Sequence, residues 1–74
     1  MIKKIGIAIL ERRQSLQITQ QELADLAGVG INTLVAIERG TGNPSLKTLI
    51  KVADCLGLEL NIGLKKLGAF QYKK

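Results

Sequence analysis

Apolar residues along this chain change their spacing near residue 58, from steps of three and four upstream to every second position downstream. Ile5, Ile9, Arg12, Arg13 and Leu16 follow the helical step, which predicts a first amphipathic helix over residues 3–15. Thr19 with Glu22 three residues on matches a capping box, whose hydroxyl and carboxylate satisfy orphan backbone donors, so a second helix starts there and runs through Ala27. Gly28 stands where that helix must stop and turn, a position that commonly takes left-handed backbone. A third helix is expected from Ile31 to a close at Gly40. The run "TGNPS" then carries turn chemistry and offers Asn43 or Ser45 as the next cap. Leu46, Leu49, Ile50, Ala53 and Leu56 mark a fourth helix ended by Gly57. Beyond it Leu58, Leu60, Ile62 and Leu64 alternate with Glu59, Asn61, Gly63 and Lys65, the spacing of a half-buried strand. No other segment is a convincing strand, and residues 67–74 have the look of a tail.

The third helix carries an unusual surface. Leu34 and Ile37 fall on one side, with Asn32, Val35, Ala36 and Arg39 turned roughly opposite. A surface helix ordinarily carries more charge. Either this segment is buried all round, or its outward face meets a partner that tolerates small and apolar groups.

Composition narrows the choice. Seventy-four residues make one small domain, which buries only about 60% of its unfolded surface and gains from docking onto a second copy. Eleven Lys and Arg against six Asp and Glu leave a net charge of +5, which suits nucleic acid or an anionic membrane surface. Phe70 and Tyr72 are the only aromatic residues, so the core is built from Leu, Ile, Val and Ala, and a stacking platform for single-stranded bases is disfavoured. One cysteine, Cys55, and no histidine exclude an internal disulfide and the usual zinc sites. Cys55 itself is expected to serve as a small apolar residue of the fourth helix. A reducing cytoplasm is the expected location. The start "MIKKIGIAIL" imitates a signal peptide, but its apolar stretch is too short and runs into "ERRQ". No apolar run approaches the ~20 residues that span a bilayer, so no membrane partner is expected. Without histidine, a metal cluster, a phosphate loop or a nucleophile beside a base, no enzymatic activity and no cofactor are expected.

Two short helices joined by a tight turn can project the second helix into a DNA major groove. Ala24 is small where a crossing helix must approach closely, Val29 can plug the turn, and Leu34 and Ile37 can anchor the third helix. A plain helical hairpin is the alternative. The stretch "ITQQELADLAGVGINTLVAIERGTGNPSLKTLIKVADCLGL" resembles the helix-turn-helix of phage-repressor-type regulators, the XRE or Cro/CI-like family. The resemblance covers residues 5–58, and its most specific pieces are "TQQELA", the Gly28 turn, "IERG" and "NPSLKTL". It implies a mainly α, four-to-five-helix, lambda-repressor-like DNA-binding domain over residues 1–57.

Roles follow from the resemblance where residues match. Gln20, with Thr19 before it, is similar to the start of helix two that contacts a phosphate, where free N–H groups and the helix dipole favour an anion. Arg13 and Glu38 match an ion pair tying helix one to the end of helix three, a structural role. Arg39, Thr41, Asn43 and Lys47 surround the loop and next helix start, where family members touch the DNA backbone. Ile31, Asn32, Thr33, Val35 and Ala36 occupy the base-facing positions. Here the chain departs from the family, which often has Arg, Lys or Gln at several of these positions and Ser in place of Gly30. Only Asn32 and Thr33 can hydrogen-bond base edges, with Asn suited to adenine, while Val35 and Ala36 can touch thymine methyls. Modest direct readout, A·T-leaning half-sites and some reliance on DNA shape are therefore expected. An apolar face that contacts protein instead is the competing reading.

A lone strand leaves its backbone groups unpaired, and two-fold pairing with its own copy supplies the partner. Leu58, Leu60, Ile62 and Leu64 are accordingly expected to dimerise two chains through residues 58–66, against the alternative of a short fifth helix. Residues 67–74 are expected to form a flexible tail, unless Phe70 and Tyr72 anchor it on a partner. The segment "LGLELNIGLKK" resembles the C-terminal strand of HipB-like antitoxins, which implies an autoregulatory repressor that also restrains a HipA-type kinase. A free-standing phage or chromosomal regulator, and a protein-interaction module that has lost DNA binding, are the two alternatives. A double-stranded operator and a second copy of the chain are the partners common to the first two.

Overall fold

The computed structural model describes residues 2–61, which form four helices: α1 (Ile2–Ser15), α2 (Gln20–Ala27), α3 (Ile31–Arg39) and α4 (Leu46–Cys55). Their boundaries follow from local chemistry. At the head of α2 the Thr19 hydroxyl accepts from the Glu22 N–H at 3.0 Å, and the Glu22 carboxylate accepts from the Thr19 N–H at 2.7 Å. The α2 helix closes at Gly28 with a left-handed φ of 71°, and α3 closes in the same manner at Gly40. Ser45, not Asn43, caps α4 by accepting from the Thr48 N–H. The α3 helix begins on Gly30 without a side-chain cap.

Two boundaries differ from the sequence expectation. The first helix starts at Ile2, and Gln17 after it takes a left-handed φ of 59°, a strained conformation for a residue with a Cβ. The fourth helix ends at Cys55, with Leu56 and Gly57 completing its last turn.

The core draws on every helix. Ile9 of α1, Leu23, Ala24 and Ala27 of α2, Leu34 and Ile37 of α3, and Leu49, Val52 and Leu56 at α4 form one buried cluster. Ala24 is fully buried, and Val29 packs from the turn against the same cluster. The α1 helix crosses α3 at Gly6, where an added Cβ would collide with the carbonyl oxygens of Ile37 and Glu38. At its other end the Arg12 Nε donates to the Leu56 carbonyl at 2.9 Å, tying α1 to the close of α4.

Residues 58–61 are neither helix nor strand, and no fifth helix occurs among the described residues. Leu58 and Leu60 nevertheless pack on the core while Glu59 and Asn61 are exposed, so the alternation is expressed as packing. The expected strand beyond residue 61, with Ile62, Leu64 and Lys65, and the tail with Phe70 and Tyr72 lie outside the described residues. No helix among the described residues is long and apolar enough to cross a membrane.

Candidate nucleic-acid interface

The turn at Gly28 sets α3 against α1 and α2, and burial along α3 separates its two faces. Leu34, Ile37 and Glu38 are buried; Asn32, Thr33 and Arg39 are exposed; Val35 and Ala36 are half-buried. The bare polar face is therefore an outward surface of small groups, held in place by an apolar inner face. Ile31 is divided between roles, since it packs partly against the core.

Thr33 and Ala36 line one shallow cleft together with Thr41, Gly42, Asn43 and Pro44 of the loop after α3. Residues expected at base edges and residues expected at the DNA backbone thus share one surface. Thr41 is turned toward α3, its hydroxyl and N–H both donating to the Ala36 carbonyl, at 3.3 and 3.0 Å. In that rotamer Thr41 has oxygen lone pairs but no free hydroxyl proton for a phosphate. The Thr19 hydroxyl, in contrast, accepts from Glu22 and keeps its own proton. Arg39 and Lys47 are exposed at the end of α3 and the start of α4, and neither forms an ion pair among the described residues.

Glu38 organises the interior edge of this surface. Its carboxylate receives the Arg13 Nε at 2.7 Å on one oxygen and the Arg13 Nη2 at 3.1 Å on the other. The Arg13 Nη1 also donates to the Ile18 carbonyl at 2.9 Å. Side-chain exposures of 11% for Arg13 and 3% for Glu38 make this a largely buried pair, in which the loss of either member strands the other. Gln20 joins it, because its Nε2 donates to Glu38 Oε1 at 2.9 Å. One N–H of the Gln20 amide is committed to Glu38, which leaves the second for an anion at the start of α2.

Sequence reasoning placed Arg13 with Glu38 and Gln20 at a phosphate but did not join the three. It also passed over Gly6, although an isolated glycine inside a helical pattern is a signal of close approach. The contact of Lys3 against Gly40, where an added Cβ would lie 2.8 Å from Lys3 Cγ, had no local signal at all.

Charge is unevenly distributed. Residues 2–61 hold Lys3, Lys4, Arg12, Arg13, Arg39, Lys47 and Lys51 together with all six acids, whereas Lys65, Lys66, Lys73 and Lys74 follow without any acid. The helical body is close to neutral, so an anion would be recognised there by placed groups more than by a broad basic field.

A protein-family model described as helix-turn-helix matches residues 9–62. An uncharacterised HTH-type transcriptional regulator of Methanothermobacter thermautotrophicus is 43% identical over 51 residues, which cover 69% of this chain and 74% of that protein. The ImmF control region 10 kDa protein of Bacillus phage phi105 is 37% identical over 60 residues, covering 81% of this chain and 67% of the phage protein. The cryptic phage CTXphi transcriptional repressor RstR of Vibrio cholerae is 29% identical over 58 residues, 78% of this chain but only 52% of the repressor.

Proposed function

Because this chain belongs to the helix-turn-helix family, we propose that it is a dimeric transcriptional repressor that binds a double-stranded operator through the outward face of α3. The observation that carries the proposal is the division of that helix: Leu34 and Ile37 are locked in the core while Asn32 and Thr33 are exposed, and Thr33 with the half-buried Ala36 adjoins the 41–44 loop. In this reading Asn32 and Thr33 bond base edges, Val35 and Ala36 meet thymine methyls, and Ile31 adds an apolar shoulder. The second N–H of Gln20, the Thr19 hydroxyl, and Arg39, Asn43 and Lys47 fix the duplex through its phosphates, with Thr41 shaping the loop. Mobility-shift assays on the DNA upstream of the gene test the assignment, and in vitro selection from random duplexes tests the readout. Selected half-sites rich in G·C, read through Val35 or Ala36, would contradict it.

Dimerisation follows from residues 58–65. Keeping Leu58, Leu60, Ile62 and Leu64 on one face of an antiparallel ribbon requires like-facing residues to oppose one another. Leu58 then faces the partner's Leu64, Leu60 faces the partner's Ile62, and the two-fold axis passes at Asn61. The packing of Leu58 and Leu60 on the core supports a ribbon lying over the helices. Such pairing sets the separation of the two α3 helices, which must suit half-sites about 34–36 Å apart or a multiple of it. Deleting everything after Gly57 should give a monomer with weak operator binding, and an intact dimer in sedimentation would refute the ribbon.

The relatives, which include a phage transcriptional repressor, support a free-standing regulator. The finer antitoxin reading rests on the resemblance of "LGLELNIGLKK" to HipB-like strands. A kinase-like reading frame next to the gene, whose product copurifies with the protein, is its test.

A further inference from the structure

One side of α4 carries apolar groups that nothing among the described residues covers. Leu46 is 61% exposed and Ile50, one turn on, is 42% exposed, and neither belongs to the core cluster. Scattered leucines on a surface need no explanation. These two differ because charged groups flank them in an ordered way. Lys47 and Asp54 stand seven residues apart, which brings them within about 20° of one another around the helix, on a strip beside Leu46 and Ile50. Both are exposed, and neither forms an ion pair among the described residues. A strip with a cation at one end and an anion at the other complements a copy of itself only when the copy runs antiparallel, and a two-fold axis supplies that arrangement. The charges place such an axis between residues 50 and 51, midway between Lys47 and Asp54.

Apolar shape selects the same place independently. A shallow groove lined by Ile50, Ala53, Asp54, Glu59, Leu60 and Asn61 opens on the second half of this face. Leu46 stands on the first half, four residues before Ile50, as Asp54 stands four residues after it. An axis at Ile50 therefore brings the partner's Leu46 level with Asp54 and against the groove, while the two Ile50 side chains meet at the axis. Shape and charge agree to within one residue, about 1.5 Å along the helix.

We propose that α4 packs antiparallel on α4 of a second copy, with Ile50 at the axis, Leu46 seated in the partner's groove and Lys47 paired with the partner's Asp54. The inference rests on the dimeric reading above but not on its ribbon, since every residue it uses lies within 46–61. Lys47 has three N–H donors, so this pairing leaves donors for a DNA phosphate. The contact would hold the two copies of α4, and with them the two 41–44 loops, at a fixed separation. Deletion after Gly57 removes Glu59, Leu60 and Asn61 from the groove as well as the ribbon, so substitutions on α4 are needed to tell the two contacts apart.

The test mixes two forms of the full chain, Lys47→Asp and Asp54→Lys, without DNA. Each form sets like charges against one another in a like pair, whereas an unlike pair restores both attractions. The forms differ in mass, so native mass spectrometry counts like and unlike dimers. Random association gives equal numbers of the two kinds, and the expected result is an excess of unlike dimers of at least about threefold, in keeping with two exposed ion pairs. The same charge changes placed on α1, Lys4→Asp with Glu11→Lys, should associate at random. Random association of the α4 forms, or an equal preference between the α1 forms, overturns the pairing and leaves the ribbon standing. A parent chain that is a monomer in sedimentation overturns the pairing and the dimeric reading together. Ile50→Lys sets two cations at the axis and should weaken the dimer at least about tenfold, with helix content by circular dichroism unchanged. An unchanged dimer affinity for that variant also overturns the proposal.

Discussion

Glu38 is the residue through which three elements of the interface are joined, since its one carboxylate holds Arg13 of α1 and Gln20 of α2. Removing it leaves a guanidinium nearly enclosed and unpaired. Glu38→Ala should therefore destabilise the fold by roughly 3–5 kcal/mol, read as a lowered midpoint in urea. Replacing both partners, Arg13→Met with Glu38→Leu, should cost far less, because no charge is then stranded; equal losses for the two variants would show that packing and not charge is at stake. Gly6 acts by what it lacks. Gly6→Ala gains about 1 kcal/mol of helix propensity, yet its methyl meets two carbonyls of α3, and a net loss of about 1–3 kcal/mol is expected. A variant more stable than the parent in thermal unfolding would show that α1 shifts to admit the methyl.

At the scale of the element, the helix starts are unequal. Thr19 and Ser45 cap α2 and α4 with their hydroxyls, whereas Gly30 leaves the start of α3 without one. Thr19→Ala should cost about 1 kcal/mol. A Cβ at Gly30 would meet only Thr33 Oγ1, at 3.9 Å, so Gly30→Ser has room to supply the missing cap. It should stabilise the protein by a few tenths of a kcal/mol, on the order of the Ser–Gly difference at caps. Paired denaturation curves check both signs, and a destabilised Gly30→Ser would contradict the cap assignment. The Thr19 cap and the stops at Gly28 and Gly40 were legible in the sequence, and Ser45 was one of two candidates beside Asn43, because each of these acts within about four residues of itself. The contact of Arg12 with the Leu56 carbonyl spans 44 positions and has no local spacing to announce it.

For the whole molecule, the near-neutral body predicts how affinity depends on salt. If a dimer neutralises about 6–10 phosphates, the logarithm of affinity should fall with that of salt at a slope of roughly −5 to −9. Arg39→Ala removes two exposed cations per dimer and should flatten that slope by about 2 while weakening all sequences alike. Asn32→Ala should instead change which sequences are preferred. Titrations on two operators at several salt concentrations separate the two effects, and an unchanged slope for Arg39→Ala would remove it from the backbone contacts.

The amino-acid sequence by itself determined where the helices lie, which face of α3 is bare, and where the period changes from helical to alternating, because caps, turns and periodicity are properties of neighbouring residues. It also carried the pairing of Arg13 with Glu38, though only through resemblance and not through spacing. Tertiary structure decided the rest. Burial turned Ile31 partly inward, crossing geometry brought the α3 carbonyls close against Gly6, and the approach of α2 to α3 brought the Gln20 amide onto Glu38. Each of these depends on the angle and distance at which two helices meet, and that is set by the summed packing of the core, not by any short stretch of chain.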